Sequence, residues 1–336
     1  IIPQISAILG SCGGGVAISS VLSDFTILER TNGRLFVNAP NAIAENNIDK
    51  CDTSAADFQK QTMNVDFICD GEEGVFDQIR SLLAILPANN ENDAFCEDVT
   101  DDMNRLVTEF GNKISDPAEA LRELADNNDF MEIKSGFGKD MVTGLMTLNG
   151  ITVGAVANRT SDGCEGVLTV DGCAKAARFV NFCDAFSIPV LTLTNVNGYE
   201  SCKCAEKKIA SAVAKLTYAF ANADVPKVNV IVGNAFGSAY VTMNSKHIGA
   251  DLVYALPNAK IGMMDAGLAV QIMYGEVNEE KAKEYDALQV SPEAAAKRGY
   301  VDAILEEEEL RKNLLYAFEM LYSKREVKLS KKHGTI

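Results

Sequence analysis

The chain has 336 residues, 47% apolar and 23% charged, with a formal net charge of −16. Length and composition fit a globular protein of two ordinary domains, and no apolar run approaches the length of a membrane span. The acidic balance excludes nucleic acid as a partner, which needs a basic footprint. A phosphorylated ligand stays compatible, because a few lysines or backbone amides hold one.

The chain opens at Ile1, with no targeting pattern, and its first residues read as a buried strand, so an upstream segment is expected. Pro3 begins an apolar run that ends at Gly10. The small residues Ser11, Cys12, Gly13, Gly14 and Gly15 follow, and a helix is expected from Val16. Further on, Phe76, Ile79, Leu83 and Leu86 recur at helical spacing and predict one apolar face. Residues 87–116 are acidic, carry Asn89 and Asn90, and read as the join between two units. Residues 141–158 are rich in strand formers, with Gly144, Gly150 and Gly154 marking turns or bulges. A buried helix is expected over 171–186 with Asp171 as its cap, then a strand over 188–194 and a helix over about 205–222. Pro226 begins a second apolar run ending at Gly233, followed by Asn234, Ala235, Phe236, Gly237 and Ser238, with a helix expected from Tyr240. Leu310, Leu314, Phe318 and Leu321 mark a last amphipathic helix, whose acidic start, Glu306 to Glu309, suits the helix dipole.

Nine cysteines, most inside apolar segments as Cys173 and Cys183 are, read as reduced thiols of a cytoplasmic protein. Cys202 and Cys204 form a lone C-x-C. His247 and His333 are the only histidines, so no metal site is expected.

The two apolar runs are copies. Proline to glycine is seven residues in each, and four more separate Gly10 from Gly14 and Gly233 from Gly237. Asp24 and Phe25 match Asp251 and Leu252. Val65, Asp66, Phe67 and Ile68 match Val301, Asp302, Ala303 and Ile304. The stretch from Phe36 through Pro40, Asn41 and Ala42 is matched to that from Leu252 through Pro257, Asn258 and Ala259. The first copy lacks the strands and helices that precede the loop in the second.

Each loop takes a buried strand through small residues into a helix. The first amides of a helix lack internal partners and carry partial positive charge, and small residues let a ligand reach the backbone. Such a turn can hold a developing oxyanion; equally, small residues serve tight strand–helix packing. No nucleophile elbow, Walker loop or metal motif is present.

The pattern from Ile2 to Gly15 resembles the oxyanion segment of the crotonase superfamily. The duplication narrows the resemblance to the carboxyltransferase (beta) subunit of biotin-dependent acyl-CoA carboxylases and the related methylmalonyl-CoA decarboxylase alpha-type subunits. It is carried by Ala174 to Val180, Cys183 to Phe186, Ala214 to Ala221, Ala235 to Tyr240, Arg298 to Asp302, and Lys331 to Gly334.

The resemblance implies an α/β fold of two tandem crotonase-like (β-β-α superhelix) domains, the first without its N-terminal half. Residues 1–95 would form the acyl-CoA-binding domain, 96–130 a linker and start of the second, and 131–336 the biotin-side domain. It implies carboxyl transfer between carboxybiotin on a carrier protein and a short acyl-CoA (acetyl-, propionyl- or methylmalonyl-CoA), with biotin as base. Gly14 and Gly15 would hold the thioester enolate oxygen, and Ser238 and Ala239 the biotin carbonyl. Gly13, Gly237, Tyr240, Val241 and Asp265 would line the substrate sites.

Implied partners are a biotin carboxyl carrier protein with biotin carboxylase or membrane decarboxylase subunits, in a homohexamer built as a trimer of dimers. The same site run backwards serves a sodium-pumping decarboxylase; other readings are a crotonase-fold hydratase or isomerase, and a non-catalytic subunit. Departures from the family pattern are Ser238 and Asp265 where glycine is usual, and the missing second proline–glycine around Asn195 to Tyr199. Asp265 either lines the pocket or caps a helix. Val241, at a position that tunes acyl size, points to a short acyl group.

Overall fold

A computed structural model describes residues 1–92, 99–324 and 326. Its first unit holds β1 (Ile5–Ile8), β2 (Ser11–Gly13), β3 (Phe25–Glu29), β4 (Arg34–Phe36) and β5 (Phe67–Cys69). β1, β3 and β5 form one parallel sheet, and β2 pairs with β4 beside it.

The second unit holds β6 (Phe130–Ile133), β7 (Met141–Leu148), β8 (Ile151–Asn158), β9 (Val167–Leu168), β10 (Val190–Val196), β11 (Gly198–Tyr199), β12 (Lys227–Phe236), β13 (Leu252–Ala255), β14 (Lys260–Gly262) and β15 (Ala303–Ile304). The main sheet runs β15-β13-β12-β10-β8-β7-β6, with β14 on the far end of β12 and β9 paired with β11. From β8 to β15 it is parallel and covered on both faces, which is why its strands are continuous apolar runs.

Pairing repeats between the units. β1–β3–β5 has the connectivity of β12–β13–β15, and β2–β4 that of the end of β12 with β14. Side chains repeat as well. Asp66 accepts from the Thr26 amide at 2.7 Å, and Asp302 from the Val253 amide at 2.8 Å, at matching places on β3 and β13. One matched stretch is corrected: Phe36 pairs with Gly13, so its counterpart is Gly262, which pairs with Phe236, and not Leu252. Leu252 instead begins the counterpart of β3. Pro40, Asn41 and Ala42 follow β4, whereas Pro257, Asn258 and Ala259 lie between β13 and β14.

Several helices differ from expectation. Along Gly71–Ile85 the inward face is Val75, Ile79, Leu82 and, just past its end, Leu86; Ile79 and Leu86 are as expected, while Phe76 and Leu83 are exposed. Apolar residues on more than one face make its periodicity ambiguous, and packing against β3 and β5 selects the face. Helix Leu310–Leu321 buries Leu310, Leu314 and Phe318 as expected. Helix Val170–Ala185 is capped by Thr169, not Asp171; the Thr169 hydroxyl accepts the Gly172 amide at 3.0 Å and donates to Asp140 at 2.8 Å. The helix expected over 205–222 is two pieces, Lys203–Glu206 and Ile209–Asn222. Residues 141–158 form the antiparallel hairpin β7–β8, turned by Asn149 and Gly150 at φ 50 and 74°, the left-handed pair that such a turn needs.

Two buried cation systems hold this arrangement. Lys134 of the second unit reaches into the first, 2.9 Å from Asp66 and 2.7 Å from the Met63 carbonyl. Beneath it Lys175 donates to the carbonyls of Lys134, Phe137 and Met141 at 2.7–3.0 Å, and burial pulls its pKa down to about 8. Arg311, 1% exposed, donates to the Leu124 and Asp102 carbonyls and pairs with Asp126 at 2.6 Å and Asp101 at 3.2 Å. Asp126 in turn accepts the Asn149 and Gly150 amides, so Arg311 ties the last helix to the hairpin turn. Replacing Arg311 with Met leaves the buried Asp126 without its cation and Asp101 with Arg105 alone, and is expected to cost about 3–5 kcal/mol. Urea denaturation measures it; a loss below about 1 kcal/mol, the worth of a surface pair, would show that the cluster is not structural.

Candidate functional site

The second loop begins where β12 runs past the end of its pairing with β10. Register shifts between Thr194 and Val196, and Asn195 at that break accepts the Asn234 amide at 2.9 Å. A Cβ on Gly233 would sit 2.4 Å from the Asn195 Oδ1, so only glycine admits this contact. Asn158 braces Asn195 from β8: its Oδ1 accepts the Asn195 amide at 2.8 Å and its Nδ2 donates to the Asn195 carbonyl. Asn234 Nδ2 also donates to Asn197 at 2.8 Å. These four asparagines escaped the sequence reading. Their signal is polar residues at the carboxyl ends of apolar strands, where open parallel sheets place ligands.

The chain then turns at Gly237, φ +60°, into the helix Gly237–Thr242. A cavity of about 490 Å³ opens there, lined among others by Asn197, Tyr199, Asn234, Ser238, Ala239 and Asp265. Gly237 lines it too. Asp265 does both things foreseen for it: it faces the cavity and caps the next helix, accepting the Gly267 and Leu268 amides at 2.9 and 3.3 Å. Tyr240 and Val241, expected at the substrate, stand apart from the cavity. Tyr240 is buried, edge-on to His247 with ring centroids 5.9 Å apart. Tyr240 falls with Ala239 and Thr242 on the buried side of this helix.

The first loop has the same turn with different support. Gly14 has φ +60°, as Gly237 does, so Gly15 corresponds to Ser238 and Val16 to Ala239. Gly13 serves packing, since a Cβ there would meet the Phe36 ring at 2.6 Å. No atom lies within 4 Å of a Cβ built on Gly15, so that face of the backbone is open to a ligand. The Gly14 amide is engaged, donating to the Phe36 carbonyl at 2.9 Å. The amides of Gly15 and Val16 begin the helix Gly15–Val21 and have no acceptor within it. An apolar hollow of about 280 Å³ adjoins this helix, lined by Ala17, Val21, Leu35, Phe36 and others.

β4, which carries Phe36, is set by Glu29. Its carboxylate accepts the amides of Thr31, Asn32, Gly33 and Gly71, and the bonds to Asn32 and Thr31 lead in holding its pKa down to about 2.

Neither cavity contains residues of the other loop. Among the described residues no cluster of three or more His, Cys, Asp or Glu could hold a metal, and no helix is long and apolar enough to cross a membrane. His247 lies exposed in a 3-10 turn, Lys246–Ile248. His333 and the Lys331 to Gly334 motif fall outside the described residues. The geometry therefore offers two sets of helix-start amides, the second lining an open cavity and the first on a helix that an apolar hollow adjoins, each suited to an oxygen that gains negative charge.

The carboxyl transferase domain family matches residues 1–336, and the chain belongs to it. A putative propionyl-CoA carboxylase beta chain of Bacillus subtilis is 39% identical over 354 residues, covering 100% of this chain and 70% of its own. Methylmalonyl-CoA decarboxylase subunit alpha of Propionigenium modestum is 34% identical over 358 residues, covering 100% and 69%. Transcarboxylase 12S, solved as a hexamer with methylmalonyl-CoA and methylmalonic acid bound, superposes with TM-score 0.89 at 32% identity over 99% of this chain and 68% of that one. The fold class expected from the sequence accordingly stands.

Glu29 gives the loop a pH dependence. With its folded pKa near 2 against an ordinary 4.5, the folded state binds fewer protons in that window than the unfolded one. Its stabilisation is complete above about pH 4.5 and is lost as pH falls toward 2. Melting temperatures of the native chain and Glu29→Gln should differ most above pH 4.5 and converge below it; a gap independent of pH would contradict this.

Proposed function

We propose that the chain transfers a carboxyl group between carboxybiotin, borne on a carrier protein, and a short acyl-CoA such as acetyl-, propionyl- or methylmalonyl-CoA. The observation that carries this reading is the repeated loop, two glycine turns at φ +60° each followed by free helix-start amides. A reaction between two carbonyl compounds needs two oxyanion sites. Biotin supplies the carboxyl group and, once it is released, the base for the alpha proton, so no side-chain base is required.

The first loop, beside its apolar hollow, takes the thioester. Its donors are the Gly15 and Val16 amides. Gly14 shapes the turn, but its own N–H is spent on Phe36, which moves the expected pair by one residue and into step with Ser238 and Ala239. Those two hold the ureido carbonyl, with Asn197, Asn234, Tyr199 and Asp265 around it. The polar rim and open volume fit a small ureido ring.

Because the two loops stand apart and neither cavity is lined by both, one copy's first loop meets another copy's second loop in this reading, within a homohexamer. Exposed Val16, Ile18 and Leu22 beside the first loop, and Met263, Leu268 and Ile272 beside the second, are the surfaces such pairing would cover. Limits of 1–95 and 131–336, with 96–130 as linker and start of the second domain, are supported by Phe110, Leu121 and Leu124, which pack into the second unit's core ahead of β6. The reverse reaction, in a decarboxylase complex, is a second reading, favoured by the match to the Propionigenium subunit.

Carboxylated biotin carrier and a panel of labelled acyl-CoAs test the reading. Transfer in one direction is expected, and none with any short acyl-CoA in either direction would sink it. Val16→Pro and Ala239→Pro each delete one amide in a first helical turn, where proline is tolerated. Each should lower transfer by about 10²–10³, and Ala239→Pro should leave acyl-CoA binding intact; its loss would mean the two loops' roles are reversed.

A further inference from the structure

The segment that leads from the second cavity into the next helix carries two thiols that no transfer step uses. Cys202 and Cys204 face each other with their sulfurs 2.6 Å apart. Cys204 is exposed, and Lys203, Lys207 and Lys208 around it are exposed too. Cys202 is half-buried, and its sulfur caps the helix Lys203–Glu206 by accepting the Ala205 amide at 3.2 Å. The pair lies just beyond Tyr199, which lines the cavity, and β11, to which Tyr199 belongs, packs against the helix Gly237–Thr242. The other described cysteines lack this arrangement; Cys173 and Cys183, for example, are buried with pKa values raised by burial.

From this geometry we infer that Cys202 and Cys204 form a reversible dithiol–disulfide site, whose oxidation by a small-molecule disulfide disturbs the second loop. Exposure makes the Cys204 sulfur the one that a small disulfide reaches first, while its hydrogen bond to Cys204 raises the pKa of Cys202 and keeps it the second to react. The Cys204 thiolate attacks one sulfur of R–S–S–R and expels one thiolate, giving a mixed disulfide. Cys202 gives its proton to solvent and attacks the Cys204 sulfur, expelling the second thiolate. The protein loses two electrons and two protons, and the disulfide becomes two thiols. Bonding to Cys204 turns the Cys202 sulfur into a disulfide sulfur with a fixed Cβ–S–S–Cβ dihedral, which weakens its cap on the Ala205 amide. The turn between Tyr199 and that helix must reshape, and β11 transmits the change to the amides of Ser238 and Ala239.

The full chain equilibrated with rising ratios of oxidised to reduced glutathione, then digested with trypsin, tests this. Cleavage after Lys203 falls between the two cysteines, so its two products stay joined only when the disulfide exists. Joined peptides should appear on oxidation and vanish with dithiothreitol, and amide hydrogen exchange over 237–242 should quicken in the oxidised form. Cys204→Ser, which keeps the Cys202 cap, should show neither change. A stable glutathione adduct on Cys204 without joined peptides would overturn the paired site, and joined peptides with unchanged exchange at 237–242 would overturn its coupling to the loop. A fall in carboxyl transfer of about tenfold, below the 10²–10³ of a lost donor, rests on the proposed function; a chain that never transfers fails that reading alone, and the peptide and exchange results still decide this one.

Discussion

The site depends on one backbone constraint, a glycine at φ +60° between a parallel strand and a helix. With that dihedral the chain leaves the sheet sharply, and the first helical amides face outward and not along the strand. An L side chain there costs on the order of 1–3 kcal/mol. Gly14 and Gly237 both adopt it. The next position is permissive, Gly15 in one copy and Ser238 in the other, because the working group is the N–H and not the side chain.

The two copies keep the turn in place by different means. In the second, a ladder of asparagines across β8, β10 and β12 fixes the strand end, and Gly233 lets Asn195 close on it. In the first, a carboxylate takes four amides and sets β4, whose Phe36 then receives the Gly14 amide and packs over Gly13. Lys134, reaching Asp66 from the other unit, locks the first sheet to the second. Both loops thus rest on polar networks, buried around Glu29 and part-buried around Asn195, whose members are hydrogen-bonded, the condition under which such networks rigidify a fold.

The repeat was legible because it is local: proline, strand, glycine and small residues at fixed spacing. The aspartates Asp66 and Asp302 were legible for the same reason. The burial of the last helix through Leu310, Leu314 and Phe318 followed from periodicity, and the crotonase-like fold class from the family resemblance. The features that escaped depend on distant neighbours. Glu29 looks like a surface acid until β3 and the Gly71 turn surround it. On the helix Gly71–Ile85, Phe76 and Leu83 were misplaced inward, because apolar residues lie on several of its sides. The Gly14 amide could be placed only once Phe36, from a later strand, was seen to take it. Tyr240, placed at the substrate by resemblance, is buried here against His247, a contact made by a residue of the following turn.

In the proposed reaction each loop presents helix-start amides as oxyanion donors, at Gly15 and Val16 in the first copy. A crystal structure of the assembled protein with an acyl-CoA bound is the decisive measurement. The thioester oxygen should lie about 3 Å from the Gly15 and Val16 nitrogens, with the Gly14 amide still donating to Phe36. An oxygen seated on the Gly14 amide, or outside both loops, would contradict this assignment of the donors.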